Sequence, residues 1–219
     1  MKICLINQFK GQIMPAGNHS TRFALIRHAE TEWNREKLIQ GQKDSPLTKS
    51  GQSKAMEWGL ILMRIGIKRI ISSDSGRAME TALLINQSLK IPLISDARFR
   101  EQDWGTWTGM RIEEIKETEP EIFSQQLKAG WEFQPPGGEL RHDVCGRSCQ
   151  AIIDAEMKWP GEKILIVTHE GVIKCLVSRF KDEKSPEIRE TPFLSNHLHW
   201  VSCYKSSIIL EKMNALLLP

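Results

Sequence analysis

Short apolar runs separated by amphipathic stretches recur along most of the chain, and their spacing predicts strands alternating with helices. Phe23-Ala24-Leu25-Ile26 is a four-residue apolar run between polar neighbours, the pattern of a strand buried on both faces. Residues 29–47 are mixed and carry Gly41, Asp44 and Pro46, so they read mostly as loop. Thr48 can cap a helix, and Ala55, Trp58, Leu62 and Ile65 then fall on one helical face before Gly66 ends it. Arg69-Ile70-Ile71-Ser72 predicts a second strand. Ala78, Ala82, Ile85 and Leu89 mark a second amphipathic helix, and Pro92-Leu93-Ile94 a short third strand. The alternation resumes with a helix over about 141–158, a strand at Ile164-Leu165-Ile166-Val167, a helix from about 171, and two closing strands near 198–203 and 207–211 around Lys205-Ser206.

This order predicts an α/β fold: three α/β/α layers around a mostly parallel sheet. Residues 1–20 lack a clear period and read as an N-terminal arm ahead of one domain over 21–219. Residues 98–140 are the least regular part. They hold Trp104, Trp107, Trp131 and several prolines and glycines, with one or two short helices between Ile112 and Lys128. They read as a small helical insertion over the rim of the domain.

Composition narrows the function classes. The 219 residues are 40% hydrophobic and 26% charged, ordinary for a globular domain. Thirty Lys and Arg against 27 Asp and Glu give a net charge of +3, without a long run of one sign. That is too small and too scattered for a nucleic-acid binder, so no nucleic-acid partner is expected. The first apolar run stops after Ile6, too short for a signal peptide, and no apolar stretch is long enough to span a bilayer. No membrane association is expected. The five cysteines, Cys4, Cys145, Cys149, Cys175 and Cys203, are too sparse for a disulfide scaffold and point to a reducing cytoplasm. Cys145 and Cys149 lie four apart on the expected helix, but no second pair completes a metal site, so idle buried thiols are the expectation.

The chemistry concentrates where strands end. The first strand runs into Arg27-His28, the second into Ser72-Ser73-Asp74 with Arg77 opening the next helix, and the fourth into Thr168-His169-Glu170-Gly171. Strands of a parallel sheet point the same way and bind ligands beyond their carboxyl ends. His28, Arg77 and His169 are therefore expected on one rim, near helix N-termini that favour anions. Arginines and histidines in that setting make a phosphate pocket.

These residues resemble the signatures of the histidine phosphatase superfamily, with its phosphoglycerate-mutase-like fold. Leu25-Ile26-Arg27-His28-Ala29-Glu30-Thr31 is similar to the family's first motif, with Ala29 where Gly is commonest. Trp33-Asn34, Gln40-Gly41, Asp44 to Thr48, Ser72-Ser73 through Arg77-Ala78, and Glu80-Thr81-Ala82 match further along. Glu101, Gly105, Trp107 and Gly109 resemble the acidic motif, and Thr168 to Ile173 the second histidine motif. The resemblance spans about 22–177, with a weaker fit to the end. It implies a phosphoric monoester hydrolase in which His28 attacks phosphorus to give a phosphohistidine. Arg27, Arg77 and His169 then hold the phosphoryl oxygens, and Glu101 protonates the leaving oxygen and later activates water. Asn34, Gln40 and Gly41 are implied substrate contacts. No metal or other cofactor is implied, because arginine and histidine carry the charge work.

Several residues have competing readings. Asp103 rivals Glu101 for the acid role, but the motif spacing favours Glu101. Asn34 either caps a turn or meets substrate. Glu170 stands where the family usually has Gly. It either points to solvent, the favoured reading, or is a substrate-contacting carboxylate beside the pocket. Trp104 and Trp107 read as packing, His197 and His199 as structural residues on one strand face, and His142 as exposed. Leu140 replaces the Ser of a Gly-Glu-Ser segment, so the family's specificity does not carry over. The expected ligand is a small phosphorylated metabolite. The alternatives are a cofactor-dependent phosphoglycerate mutase, disfavoured by the acidic motif and the length, and a non-catalytic phospho-ligand-binding domain. The phosphatase branch contains broad-specificity, ribazole-phosphate and fructose-2,6-bisphosphate enzymes, and residues 110–140 do not choose among them. The pattern sets no oligomeric state.

Overall fold

The computed structural model describes residues 20–181 and 191–219. The arm expected over 1–20, with Cys4 and His19, lies outside them except for Ser20.

Six strands form one sheet in the order β3-β2-β4-β1-β5-β6. They are β1 (Thr21–Arg27), β2 (Arg69–Ser72), β3 (Leu93–Ser95), β4 (Lys163–Thr168), β5 (His197–Tyr204) and β6 (Ser207–Leu217). The first four in the sheet, β3, β2, β4 and β1, are parallel, while β5 and β6 add an antiparallel edge. Successive side chains of β1 enter opposite faces, as a pleated strand requires. Phe23 and Leu25 join one core and Ala24 and Ile26 the other, all fully buried.

The helices cover both faces. They are α1 (Glu32–Arg35), α2 (Lys49–Leu62), α3 (Gly76–Leu89), α4 (Ile112–Thr118), α5 (Pro120–Lys128), α6 (Arg141–Lys158) and α7 (Glu170–Phe180). Ala55, Trp58 and Leu62 of α2 and Ala78, Ala82 and Ile85 of α3 pack on the Ala24 face. Val144, Ile152, Val172 and Leu176 of α6 and α7 pack on the Phe23 face. The three-layer, mostly parallel architecture is the one the apolar pattern predicts.

Thr48 caps α2 by accepting from Gly51 N at 2.9 Å, and Gly66 turns the chain with φ +73°, where a side chain would be strained. Two departures are local. Residues 29–47 contain one helical turn, α1, set by a reciprocal cap: Asn34 N donates to Thr31 Oγ1 and Thr31 N to Asn34 Oδ1. Strand β6 runs to Leu217, well past the expected 211. Register shifts between β5 and β6 near Trp200 and a left-handed Asn214 (φ +46°) break its period.

The segment between β3 and α6 has a small core of its own, Trp107, Ile115, Phe123 and Phe133. The Trp107 ring lies 5.9 Å from Phe123 and 6.5 Å from Phe133. This aromatic packing gives the irregular chain a fixed seat above the strand ends.

Candidate active site

Parallel pairing fixes the site before any side chain is considered. Arg27 is in register with Thr168, and Ser72 with Val167, so β1, β2 and β4 end at one level. His28 N donates to Thr168 O at 2.8 Å and Ser73 N to Val167 O at 2.9 Å. The next residues, His28, Ser73 and His169, therefore meet on one rim. The expectation that His28, Arg77 and His169 gather there is met. The two imidazoles are 5.2 Å apart, edge to face.

Hydrogen bonds define both imidazole tautomers. Ala29 O can only accept, so His28 Nδ1, 2.7 Å away, carries its proton. That leaves the Nε2 lone pair, which accepts from Arg77 Nε at 3.3 Å. Arg77 Nη2 also donates, at 3.2 Å, to His169 Nδ1. His169 Nε2 accordingly carries its proton toward Ser73 Oγ at 2.9 Å. Burial, then the charges of Arg27 and Arg77, hold His28 well below its ordinary pKa. Burial and the cationic surroundings do the same for His169. Both rings are neutral in the free protein at physiological pH.

Arg77 is 2% exposed, not the surface first-turn residue its position would ordinarily make it. Its Nη1 donates to Lys43 O (2.7 Å) and Asp44 Oδ1 (3.0 Å), and its Nη2 to Gly41 O (2.8 Å). These contacts hold the guanidinium between the two histidines and account for the Gly41 and Asp44 region. Arg27 Nη1 pairs with Glu170 Oε2 at 2.7 Å, while its buried Nε–H has no partner among the described residues. A buried donor without an acceptor costs free energy until something fills it, and a phosphoryl oxygen fits that need.

Two carboxylates stand at the site in opposite environments. Glu101 accepts from Gln102 N at 2.9 Å and Gly171 N at 3.2 Å. Burial nevertheless raises its pKa above the ordinary carboxylate value, against those donors and both arginines. Glu170 is buried enough to favour its neutral form, but Arg27 and Lys174 outweigh this and lower its pKa. Two carboxylates whose pKa values are pushed apart in this way can serve one as a proton donor and the other as a fixed charge. Asp103 is elsewhere: its Oδ1 accepts from Gly105 N at 2.9 Å, and it does not line the cleft.

The cleft has a volume of about 710 Å³. Arg27, His28, Asn34, Gln40, Gly41, Arg77, Glu101 and Glu170 all line it. His169 lies behind, fully buried. Asn34 caps α1 through Oδ1, the first of its two readings, and it also lines the cleft. Gln40 is buried and donates to Thr31 Oγ1 at 2.9 Å. The favoured expectation for Glu170 is corrected. Its side chain does not point to solvent but is held by Arg27 and, at 2.5 Å, by Lys174 one helical turn on. Trp107 is core, while Trp104 both packs on it and lines the cleft. His142 is exposed, and His199 is buried against Phe193 with ring centroids 4.8 Å apart.

Three contributors are given no individual role by the sequence, although Ser73 and Gly171 lie within its motifs. Arg147 of α6 donates to Glu101 O (3.2 Å), Arg98 O (2.7 Å) and both Glu139 oxygens, fixing the backbone that presents Glu101. Ser73 Oγ accepts the His169 Nε2 proton at 2.9 Å. Gly171 leaves room for Glu101: a Cβ there would lie 2.3 Å from Oε1. Gly171→Ala is therefore expected to displace the carboxylate. Turnover should fall about 10²-fold, the usual cost of roughly 1 Å of misplacement. The melting temperature should hardly move, since alanine suits a helix. Steady-state kinetics beside a thermal melt checks this. Unchanged turnover would remove Glu101 from the chemistry.

The geometry now has a context among known proteins. The profile of the histidine phosphatase superfamily (branch 1) matches residues 23–216, and the chain belongs to that family. It is 38% identical over 154 residues to a protein named "Probable phosphoglycerate mutase GpmB" of Salmonella paratyphi B, covering 70% of this chain and 72% of the relative. Among solved structures, Bacillus stearothermophilus YhfR superposes with a TM-score of 0.74 at 33% identity, covering 87% of this chain and 95% of that one. A mycobacterial glucosyl-3-phosphoglycerate phosphatase superposes with a TM-score of 0.77 over 90% of this chain and all of its own, at 24% identity, a likeness of fold. Among the described residues no helix is long and apolar enough to cross a membrane.

Proposed function

We propose that this protein hydrolyses phosphate monoesters of small metabolites, with His28 as nucleophile, Glu101 as proton donor, and Arg27, Arg77 and His169 as phosphoryl ligands. The observation that carries the reading is the His28 Nδ1–Ala29 O bond at 2.7 Å, which leaves the Nε2 lone pair beside the Arg77 guanidinium. A phosphoryl group entering between them takes over the Arg77 donors now spent on the imidazoles. Nε2 attacks phosphorus as the ester P–O bond breaks, and Glu101 gives its proton to the departing oxygen. The carboxylate then accepts a proton from water as that water attacks the phosphohistidine, returning phosphate and the starting protonation states. Asn34, Gln40 and Gly41, which line the cleft, are the further substrate contacts in this reading. Cys145, Cys175 and Cys203 are buried and form no disulfide, which supports a reducing cytoplasm as the setting.

One specific observation favours a mutase reading: the 38% identical relative bears a mutase name. Incubation with 3-phosphoglycerate, with and without the bisphosphate primer, separates the two. Release of inorganic phosphate from monoesters without isomerisation is expected. Primer-dependent formation of 2-phosphoglycerate in excess of phosphate release would establish the mutase instead.

A further inference from the structure

The α7 wall of the cleft carries a charge arrangement that the phosphoryl chemistry leaves unused. Glu170 accepts from Arg27 Nη1 at 2.7 Å through Oε2 and from Lys174 Nζ at 2.5 Å through Oε1. With two cations attached it is ionised at neutral pH. An ionised carboxylate offers about four lone-pair sites, and these two ion pairs are its only hydrogen-bonded partners among the described residues. The rest of its accepting capacity sits in a side chain that lines the cleft beside Arg27. A leaving group that departs from phosphorus on the side away from His28 shares the cleft with this carboxylate.

The neighbouring cations each have a partner of their own. Lys174 is paired with Glu170, with its ammonium 5.5 Å from the Phe193 ring. Arg141 donates to Gly130 O at 2.9 Å and lies 4.4 Å over Phe133. Leu38, Ile39, Trp104 and Trp131 line other parts of the cleft with apolar surface. A hydroxyl of the leaving group can donate to the Glu170 carboxylate in a charge-assisted bond. A carboxylate or second phosphate in the same place meets a like charge that two cations already hold fixed.

We infer that Glu170 makes the cleft select monoesters whose leaving group is uncharged and hydroxyl-bearing, of the polyol or glycosyl class, over esters with a second acidic group. The inference rests on the reading of this cleft as a phosphoryl site. Its carbon skeleton would lie against the apolar lining while its hydroxyls meet Glu170, the usual division between apolar walls and a few placed polar groups.

Glycerol 3-phosphate and 3-phosphoglycerate form a matched pair, differing only in a CH₂OH group against a carboxylate. Their binding to the full chain carrying His28→Ala, which holds esters without transferring the phosphoryl group, is measured by titration calorimetry beside inorganic phosphate. Glycerol 3-phosphate is expected to bind about tenfold more tightly or better, the scale of one like-charge juxtaposition. Adding Glu170→Gln, which keeps shape and removes charge, is expected to bring the two within about threefold. A change in Arg27 affects both esters alike and cancels in this ratio. Equal or tighter binding of 3-phosphoglycerate, or a preference that survives Glu170→Gln, overturns the inference while phosphate binding keeps the phosphoryl site. Failure of inorganic phosphate and both esters to bind overturns the site and the inference with it.

Discussion

Replacing His28 with alanine is expected to lower turnover of an aryl phosphate ester by on the order of 10⁴-fold or more, the scale on which hydrolases lose a covalent nucleophile. The size follows from how completely the fold commits this side chain. Its Nδ1 proton is spent on Ala29 O, its Nε2 faces Arg77, and burial beside two guanidinium groups keeps it neutral. Among the described residues no other imidazole lines the cleft, because His169 lies behind it, fully buried. The variant should still bind phosphate, since Arg27, Arg77 and His169 remain. Phosphate affinity by calorimetry beside the lost turnover separates a missing nucleophile from a collapsed site. Wild-type-like turnover would remove His28 from the mechanism.

The second large effect concerns Glu101. Glu101→Gln is expected to slow hydrolysis of alkyl esters by roughly 10²–10⁴-fold, the typical worth of a positioned acid. Aryl esters should lose less in the first step, because a phenolate leaves without a proton. The pH dependence has a definite sign. Burial raises the Glu101 pKa, so the acid form persists above the ordinary carboxylate range and is lost as pH rises through the raised value. In the wild type, kcat/KM for alkyl esters should therefore fall on the alkaline side, by about tenfold per pH unit once Glu101 is ionised. On the acid side, His28 must be neutral, and its depressed pKa moves that limb well below the ordinary histidine value. The optimum lies between these two limbs, and the alkaline limb should vanish in Glu101→Gln. An alkaline limb that survives the substitution would belong to another group.

Much of this was legible in the chain, for a physical reason that differs between fold and site. Strand β2 at Arg69–Ser72 and helix α6 at Arg141–Lys158 coincide with their apolar runs, because each buries a periodic face against the sheet. Helix α1 escaped because a Thr31–Asn34 cap makes it, and capping leaves no period. The far half of β6 escaped because Glu211, Lys212 and Asn214 interrupt its alternation on an edge strand.

The site residues His28, Arg77 and His169 could be placed together because parallel strands that end in polar residues must end at one rim. The position of Glu170 could not be read this way. Its i, i+4 spacing to Lys174 was visible, but its grip on Arg27 joins residues from two strand ends. Arg147 and Gly171 act by reaching, or making room for, a carboxylate distant in sequence, and only the folded geometry displays that.

A covalent phosphohistidine is the central intermediate of the proposed reaction, and Glu101→Gln offers the means to see it. With p-nitrophenyl phosphate, transfer to His28 needs little acid help, while hydrolysis of the phosphohistidine loses its base. Rapid quenching in alkali, where phosphohistidine survives, followed by peptide mass spectrometry measures the intermediate. Up to one phosphoryl group per chain is expected on the peptide containing His28, formed in a burst of p-nitrophenolate. A phosphoryl group on another residue, or steady turnover of the wild type with His28 unlabelled, would contradict the proposed reaction.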